Sequence, residues 1–167
     1  IMNEAFSDLS VLGDIKTNKD FMPFIRGLKE NSVKGTMYMS SYGGQTANSE
    51  FEFLTGSSMA FLPGGSVAYQ YQVKDTMGSL ATTMEGQGYQ GNMVLHPYLS
   101  NGYNREKVYP LLGFKDYLSI GDFQNPEVCR SFITDQEDFN KITSEYEKAK
   151  QKSSAPFFMF NVTIQNH

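Results

Sequence analysis

The chain has 167 residues, of which 40% are hydrophobic and 14% aromatic, a composition that can bury the core of about one globular domain. Its formal net charge is −4, and the scattered charges form no basic stripe, which argues against a nucleic-acid partner. Cys129 is the single cysteine, so a disulfide within these residues is excluded, and no apolar run reaches the roughly 18 residues of a membrane span.

The first residues have the character of the end of a buried strand. Two apolar residues precede Glu4, which then lies where open α/β sheets place their ligand sites, although an acid there is also compatible with a solvated loop. Asp8 is predicted to lie at the surface. A short amphipathic helix is expected over 21–31, capped by Asp20, and its apolar face is assigned to packing.

The central stretch, residues 41–56, combines a glycine pair with a helical pattern. A strand is predicted over 33–40 from its β-branched and aromatic residues, and a helix is predicted after the glycines, with Gly56 as its stop. Thr46 is therefore expected at a strand-to-helix turn, where free amide groups and the helix dipole favour an anion. A hydroxyl in that place either attacks or holds a phosphate, or it only caps the helix.

Helices and strands alternate in the remainder of the chain. After an ordered surface loop expected over 56–73, the patterns predict a helix over 76–87, a strand over 89–95, a short strand within 115–123, a helix from Asp135 with Phe139, Ile142 and Tyr146 facing inward, and a final strand over 156–164. That order predicts an α/β fold with a mainly parallel sheet flanked by helices.

Groups that can bind phosphate follow two of the predicted strands. His96 follows the strand over 89–95, and Tyr103 and Arg105 lie on the same loop. An arginine can bind phosphate oxygens bidentately. His167 comes just past the final strand, and each of these side chains could instead be a satisfied structural residue.

Residues 43–63 carry a resemblance to a known family. The matching sequence is Gly43-Gly44-Gln45-Thr46-Ala47-Asn48-Ser49-Glu50-Phe51-Glu52, continued by Leu54-Thr55-Gly56 and Met59-Ala60-Phe61-Leu62-Pro63. It closely resembles the nucleophile region of lipoteichoic acid synthases and related phosphoglycerol transferases, in the alkaline phosphatase and sulfatase superfamily. The resemblance implies that Thr46 is the nucleophile and also a ligand of a manganese or magnesium ion.

Two terminal blocks resemble the same family. Asn-Glu-Ala-Phe-Ser-Asp at 3–8 is similar to its first metal-binding segment, which implies a metal ligand at Glu4. Asn-Val-Thr-Ile-Gln-Asn-His at 161–167 is similar to the segment whose histidine reaches the substrate, which implies that role for His167.

A further block is similar to the family's substrate-binding segment. It comprises His-Pro-Tyr at 96–98, Tyr-Asn-Arg at 103–105 and the run at 108–114. The resemblance implies contacts of His96 and Arg105 with a glycerolphosphate head group. Tyr103 stands where the best-known members carry tryptophan, which leaves the identity of the polyol open. With Glu4 and Thr46, these residues are expected to share one cleft at the edge of the sheet.

The family's activity gives the expected function. It implies transfer of glycerophosphate from phosphatidylglycerol to a growing cell-envelope polymer through a phosphothreonine at Thr46. The reaction would take place on the extracellular side of a bacterial cell membrane, with attachment to the membrane through parts absent from this chain. Family members complete the metal site with an Asp-His pair farther along, so residues 1–167 are expected to be a partial sulfatase-like catalytic domain, truncated at both ends and inactive by itself.

Other functions remain open at this point. A phosphoethanolamine transferase or a phosphodiester hydrolase of the same superfamily would share Thr46 and the metal and differ in the pocket. A sulfatase would use a modified Cys or Ser as nucleophile, and Cys129 lies in none of the matching blocks. A non-catalytic binding domain would keep the fold and lose the metal.

Overall fold

A three-stranded parallel sheet forms the centre of the larger of two compact units in the computed structural model, which describes residues 1–167. The larger unit comprises residues 1–5 and 39–167, and the smaller one residues 6–38. The strands are β1 (Gln90–Leu95), β2 (Asp116–Leu118), β3 (Val128–Cys129), β4 (Phe132–Ile133) and β5 (Phe157–Asn161). Strands β3 and β4 pair with each other in a separate antiparallel hairpin.

The parallel sheet has the strand order β2-β1-β5. Val94 on β1 lies between Tyr117 on one side and Phe160 on the other, and Met2 extends the sheet by a parallel bridge to Val162. Parallel sheets are usually covered on both faces, and the end of the inner strand β1 is accordingly apolar, with Val94 and Leu95 fully buried. The predicted mainly parallel sheet is confirmed.

Six helices accompany the strands. They are α1 (Pro23–Gly27), α2 (Thr46–Thr55), α3 (Ala68–Tyr71), α4 (Leu80–Gly86), α5 (Arg105–Leu111) and α6 (Asp135–Lys152), and single 3₁₀ turns lie at Leu9–Leu12, Met59–Phe61, Gly102–Asn104 and Ile120–Asp122. The helix predicted after the glycine pair is confirmed as α2, and Gly56 ends it at φ 69°. None of these helices has both the length and the apolarity needed to cross a membrane.

Two predictions on the first forty residues are wrong. No strand forms over 33–40, where Val33 and Tyr38 are almost completely exposed, because β-forming residues without a partner strand gain no ladder bonds. The helix expected over 21–31 is only the five residues of α1, and Phe24 on its predicted packing face is 76% exposed.

Two later helices differ from their predicted forms. The helix expected from residue 76 begins at Leu80, because the Ser79 side chain accepts hydrogen bonds from backbone amides of the first turn and caps it there. In α6, Phe139 and Tyr146 are partly exposed instead of inward-facing, and the fully buried residue is Asp138. The loop expected over 56–73 contains the short α3, whose Tyr69 packs in the core.

Candidate active site

Three parallel segments end at one edge of the sheet, and predicted site residues follow them. His96 comes directly after β1, and residues 162–167 come after β5. Glu4 follows Met2, which pairs in parallel with Val162. Because parallel strands present their carboxyl ends at the same edge, these side chains lie on one side of the sheet.

Thr46 is the first residue of α2 and faces Glu4. Its Oγ1 donates a hydrogen bond to Oε1 of Glu4 over 2.5 Å. The N-cap position is held by Gln45, in the left-handed conformation at φ 60° and without a side-chain cap bond. The alternative that Thr46 only caps the helix is therefore wrong, and its hydroxyl is held by a carboxylate instead.

Glu4 is buried, and its two carboxylate oxygens differ in their contacts. Oε1 also lies 3.0 Å from Nε2 of His167, whereas Oε2 is buried without a hydrogen-bond partner. The orphaned oxygen and the nearby hydroxyl of Thr46 are hard donors of the kind that Mn²⁺ or Mg²⁺ prefers. No group of three or more His, Cys, Asp or Glu side chains is arranged to hold a metal ion. Glu4 and Thr46 therefore offer two oxygen ligands, fewer than a complete coordination shell needs.

His96 is buried, and its tautomer follows from its contacts. Nδ1 lies 2.9 Å from the carbonyl oxygen of Val162, which can only accept, so Nδ1 carries the hydrogen. Nε2 is then an acceptor, and it lies 3.3 Å from Nη1 of Arg105. Burial, followed by the positive charge of Arg105, lowers the pKa of His96. The imidazole is thus neutral, and Nε2 is its acceptor.

Arg105 is the first residue of α5 and is 2% exposed. Its Nε donates to Oε1 of Glu50 over 3.1 Å, and Nη2 donates to the same oxygen. Burial alone would lower the pKa of the guanidinium, but the charge and hydrogen bonding of Glu50, together with the nearby Tyr109 and Glu4, outweigh burial and raise that pKa above its ordinary value. Arg105 therefore stays charged in a buried place.

Tyr103 lies in the turn before α5, in a strained backbone conformation. Both Tyr103 and Asn104 have positive φ angles, 53° and 65°, which cost side-chain-bearing residues about 1 kcal/mol or more each. The ring of Tyr103 lies 5.2 Å from the guanidinium carbon of Arg105, within the range of a cation–π contact. The strained turn thus holds an aromatic ring against the arginine.

A cavity of about 280 Å³ connects most of the predicted site residues. Its lining includes Glu4, His96, Tyr103, Arg105, Phe132 and His167. Thr46 is joined to this group through its hydrogen bond to Glu4. The cavity is large enough for a small phosphorylated polyol and combines a carboxylate, a guanidinium, an imidazole acceptor and aromatic walls.

Glu50 and Tyr109 lie behind Arg105 and complete the site, and the sequence analysis identified neither of them. Glu50 is fully buried and also accepts a hydrogen bond from the Tyr109 hydroxyl over 2.8 Å. Burial, followed by the charge of Glu50, raises the pKa of the Tyr109 phenol well above its ordinary value, so it stays a donor. The available signal was the spacing of Glu50 four residues after Thr46, which puts both on one helix face.

The chain is similar in sequence to a known protein family and to several known proteins. Residues 1–167 match the family model of the sulfatases. A protein of Rhizobium meliloti (strain 1021), provisionally named a cyclic beta-1,2-glucan modification protein, is 36% identical over 167 residues, which are 100% of this chain and 25% of that protein. Lipoteichoic acid synthase 1 of Bacillus subtilis (strain 168) is 26% identical over 163 residues, 95% of this chain and 25% of that protein. The chain thus spans about a quarter of the length of these relatives.

Solved structures show the same architecture. The Streptococcus pyogenes phosphoglycerol transferase GacH, in complex with sn-glycerol-1-phosphate, superposes with a TM-score of 0.82 at 28% identity, over 100% of this chain and 44% of that one. The lipoteichoic acid synthase LtaP from Listeria monocytogenes has a TM-score of 0.67 at 18% identity, over 78% of this chain and 31% of that one, and shows the fold alone. The predicted alkaline phosphatase/sulfatase-like fold is confirmed.

Proposed function

The chain belongs to the sulfatase family, in the branch of the lipoteichoic acid synthases and phosphoglycerol transferases, and from that premise we propose that the full-length protein transfers glycerophosphate from a phosphatidylglycerol-type lipid to a cell-envelope polymer or glycan. The observation that carries the proposal is the hydroxyl of Thr46 held on Glu4, beside a cavity that Arg105 and His96 line. The proposed nucleophile and the proposed phosphate-binding group thus lie close together.

In the proposed reaction, Oγ1 of Thr46 attacks the phosphorus of the lipid phosphodiester. A bond forms between Oγ1 and phosphorus, and the bond from phosphorus to the diacylglycerol oxygen breaks. The hydroxyl proton of Thr46 passes to Oε1 of Glu4, and the diacylglycerol oxygen takes up a proton from solvent. A hydroxyl oxygen of the acceptor then forms a bond to phosphorus, the bond from Oγ1 of Thr46 to phosphorus breaks, and the acceptor's proton goes to solvent. Oγ1 takes back the proton held by Glu4, which regenerates the Thr46 hydroxyl.

The side chains of the cavity would orient the group that is transferred. Nη1 of Arg105, which donates one hydrogen to Nε2 of His96, has a second hydrogen for a phosphate oxygen, and the His96 ring helps to orient that nitrogen. Tyr103 offers an aromatic wall to the carbon skeleton of the polyol. A divalent cation, Mn²⁺ or Mg²⁺, would be held by Glu4 and Thr46 and would lower the pKa of the hydroxyl and neutralise phosphate charge.

Two acceptors have support from the relatives. The lipoteichoic acid synthases favour a glycerophosphate polymer, and the name of the Rhizobium meliloti relative favours a cyclic glucan. Both acceptors present hydroxyl groups, so the same attack on a phosphothreonine serves either. With a membrane lipid as donor, we place the reaction at the cell membrane of a bacterium, on its extracellular side.

The test is a transfer assay with the full-length protein, Mn²⁺ and phosphatidylglycerol labelled in its head group. We expect label in a glycerophosphate polymer or a cyclic β-1,2-glucan, loss of transfer in Thr46→Ala, and part of it retained in Thr46→Ser, which keeps a hydroxyl. Retained transfer in Thr46→Ala would reject the nucleophile. Label released only as free glycerophosphate would favour a hydrolase. Transfer from phosphatidylethanolamine would favour a phosphoethanolamine transferase, and binding without turnover would favour a non-catalytic domain.

A further inference from the structure

Glu50 is a buried acid that the proposed reaction does not use, although it is hydrogen-bonded to Arg105 in the candidate site. Its carboxylate is fully buried and accepts hydrogen bonds from Nε and Nη2 of Arg105 and from the hydroxyl of Tyr109. Leaving a buried carboxylate without such donors would be strongly unfavourable, so its partners and their geometry are closely determined.

The guanidinium of Arg105 is divided between two neighbours. Glu50 engages the edge formed by Nε and Nη2, whereas Nη1 lies 3.3 Å from Nε2 of His96, a residue that lines the cavity. Because the guanidinium is planar and rigid, fixing one edge also fixes the direction of the remaining nitrogen. Glu50 thereby determines where Nη1 points.

Glu50 also shares a rigid element with the proposed nucleophile. Thr46 and Glu50 are four residues apart on α2, one helical turn, and lie on the same face of the helix. The helix is anchored by the buried side chains of Phe51 and Leu54. The position of the Thr46 hydroxyl and the position of the carboxylate that holds Arg105 are therefore set by the same turn of backbone.

We propose that Glu50 is a positioning residue, which holds Arg105 so that Nη1 meets a phosphate bound at Thr46 at the spacing that α2 fixes. This inference rests on the proposed function, since it presumes a phosphate beside Thr46. In a purely structural role, the ion pair of Glu50 and Arg105 would only fasten α2 to α5. The two roles differ in what a substitution does to phosphate affinity while the protein is still folded.

The experiment measures binding of sn-glycerol-1-phosphate to the full-length protein by calorimetry, with Mn²⁺ present, at a temperature where each variant is folded by its melting curve. Glu50→Gln removes the charge with little change in shape, and we expect affinity to fall roughly ten- to hundredfold, the range for a charge-assisted hydrogen bond. Glu50→Asp keeps the charge but withdraws it by about 1.5 Å, and a similar loss is expected. In the transfer assay, both variants should raise KM for the lipid.

Leu54→Ala is the matched control, because Leu54 is buried on the same helix and contributes packing alone. We expect a lower melting temperature and an affinity within about threefold of the wild type. Wild-type affinity in Glu50→Gln, or an equal loss in Leu54→Ala, would overturn the positioning role. If Glu50→Gln does not fold, Glu50→Asp decides by the same criterion. If the wild-type protein neither binds nor transfers glycerophosphate, the proposed function is overturned as well. If the wild-type protein transfers normally and Glu50→Gln keeps the wild-type affinity for sn-glycerol-1-phosphate, only the role of Glu50 is overturned.

Discussion

The hydroxyl oxygen of Thr46 lies 2.5 Å from Oε1 of Glu4, although the two residues are 42 positions apart in the chain. The same carboxylate oxygen lies 3.0 Å from Nε2 of His167, and the second oxygen is buried without a partner. The carboxylate of Glu4 is therefore in direct contact with the Thr46 hydroxyl and would act at short range on any cation beside it.

Glu4→Gln should weaken binding of Mn²⁺ to the full-length protein by at least about tenfold, because the number of charged oxygen ligands sets the affinity of such sites. Titration calorimetry with MnCl₂ measures the effect. Asp8→Asn makes the same chemical change at a partly exposed carboxylate and should leave the affinity unchanged. Equal affinities in Glu4→Gln and the wild type would remove Glu4 from the metal site.

His96 should remain a neutral imidazole with its hydrogen on Nδ1 below pH 6.5. Burial and then the charge of Arg105 lower its pKa, so the contribution of the neutral form to stability is present above the unfolded pKa of about 6.5 and is lost as pH falls through the lowered folded pKa. Nitrogen NMR shifts of the imidazole between pH 7.5 and 5.5 report the tautomer, and His96→Gln assigns the signal. A signal from imidazolium already at pH 6.5 would contradict the assignment.

Asp138 should make the protein less stable as pH rises. Burial raises its pKa to about 7, although two hydrogen bonds from the amide nitrogen of Asn161 partly oppose that shift. The folded state then binds more protons than the unfolded state between about pH 4 and 7, so the free energy of unfolding falls across that window. Asp138→Asn should flatten the decline and stabilise the protein at pH 8 by on the order of 1 kcal/mol or more. Urea unfolding at pH 5 and pH 8 measures the decline with pH and the stability difference at pH 8. An unchanged pH dependence in the variant would show that ionisation of Asp138 does not lower the free energy of unfolding.

Gly91→Ala should destabilise β1. A Cβ there would lie 2.4 Å from the ring of Phe157 and 2.9 Å from the carbonyl oxygen of Phe158, and the glycine has φ +86°. The combined strain and overpacking should lower the free energy of unfolding by roughly 2–4 kcal/mol. Gly64→Ala is the control, since its Cβ would meet nothing within 4 Å at an ordinary φ, and urea midpoints compare the two. Similar small losses in both variants would show that the strand shifts to accommodate the methyl group.

The parallel sheet and the helix after the glycine pair could be predicted because their signals are local. β5 is an apolar run that ends at Asn161, β1 ends in three apolar residues before His96, and Gly56 stops α2 at a positive φ. The same local signal failed at 33–40, where a β-forming composition has no partner strand. It also failed in α6, where the periodic pattern placed Phe139 and Tyr146 inward and the structure buries Asp138.

The sequence by itself determined the family, the alternation of strands and helices and the candidate residues, because each of these depends on residue types at short spacing along the chain. Only the tertiary structure decided that Thr46 bonds to Glu4, that His96 is an acceptor, and that Glu50 holds Arg105. Those contacts join residues far apart in the chain. Their strength depends on burial and on the direction of each donor, and both arise only when the helices pack on the sheet.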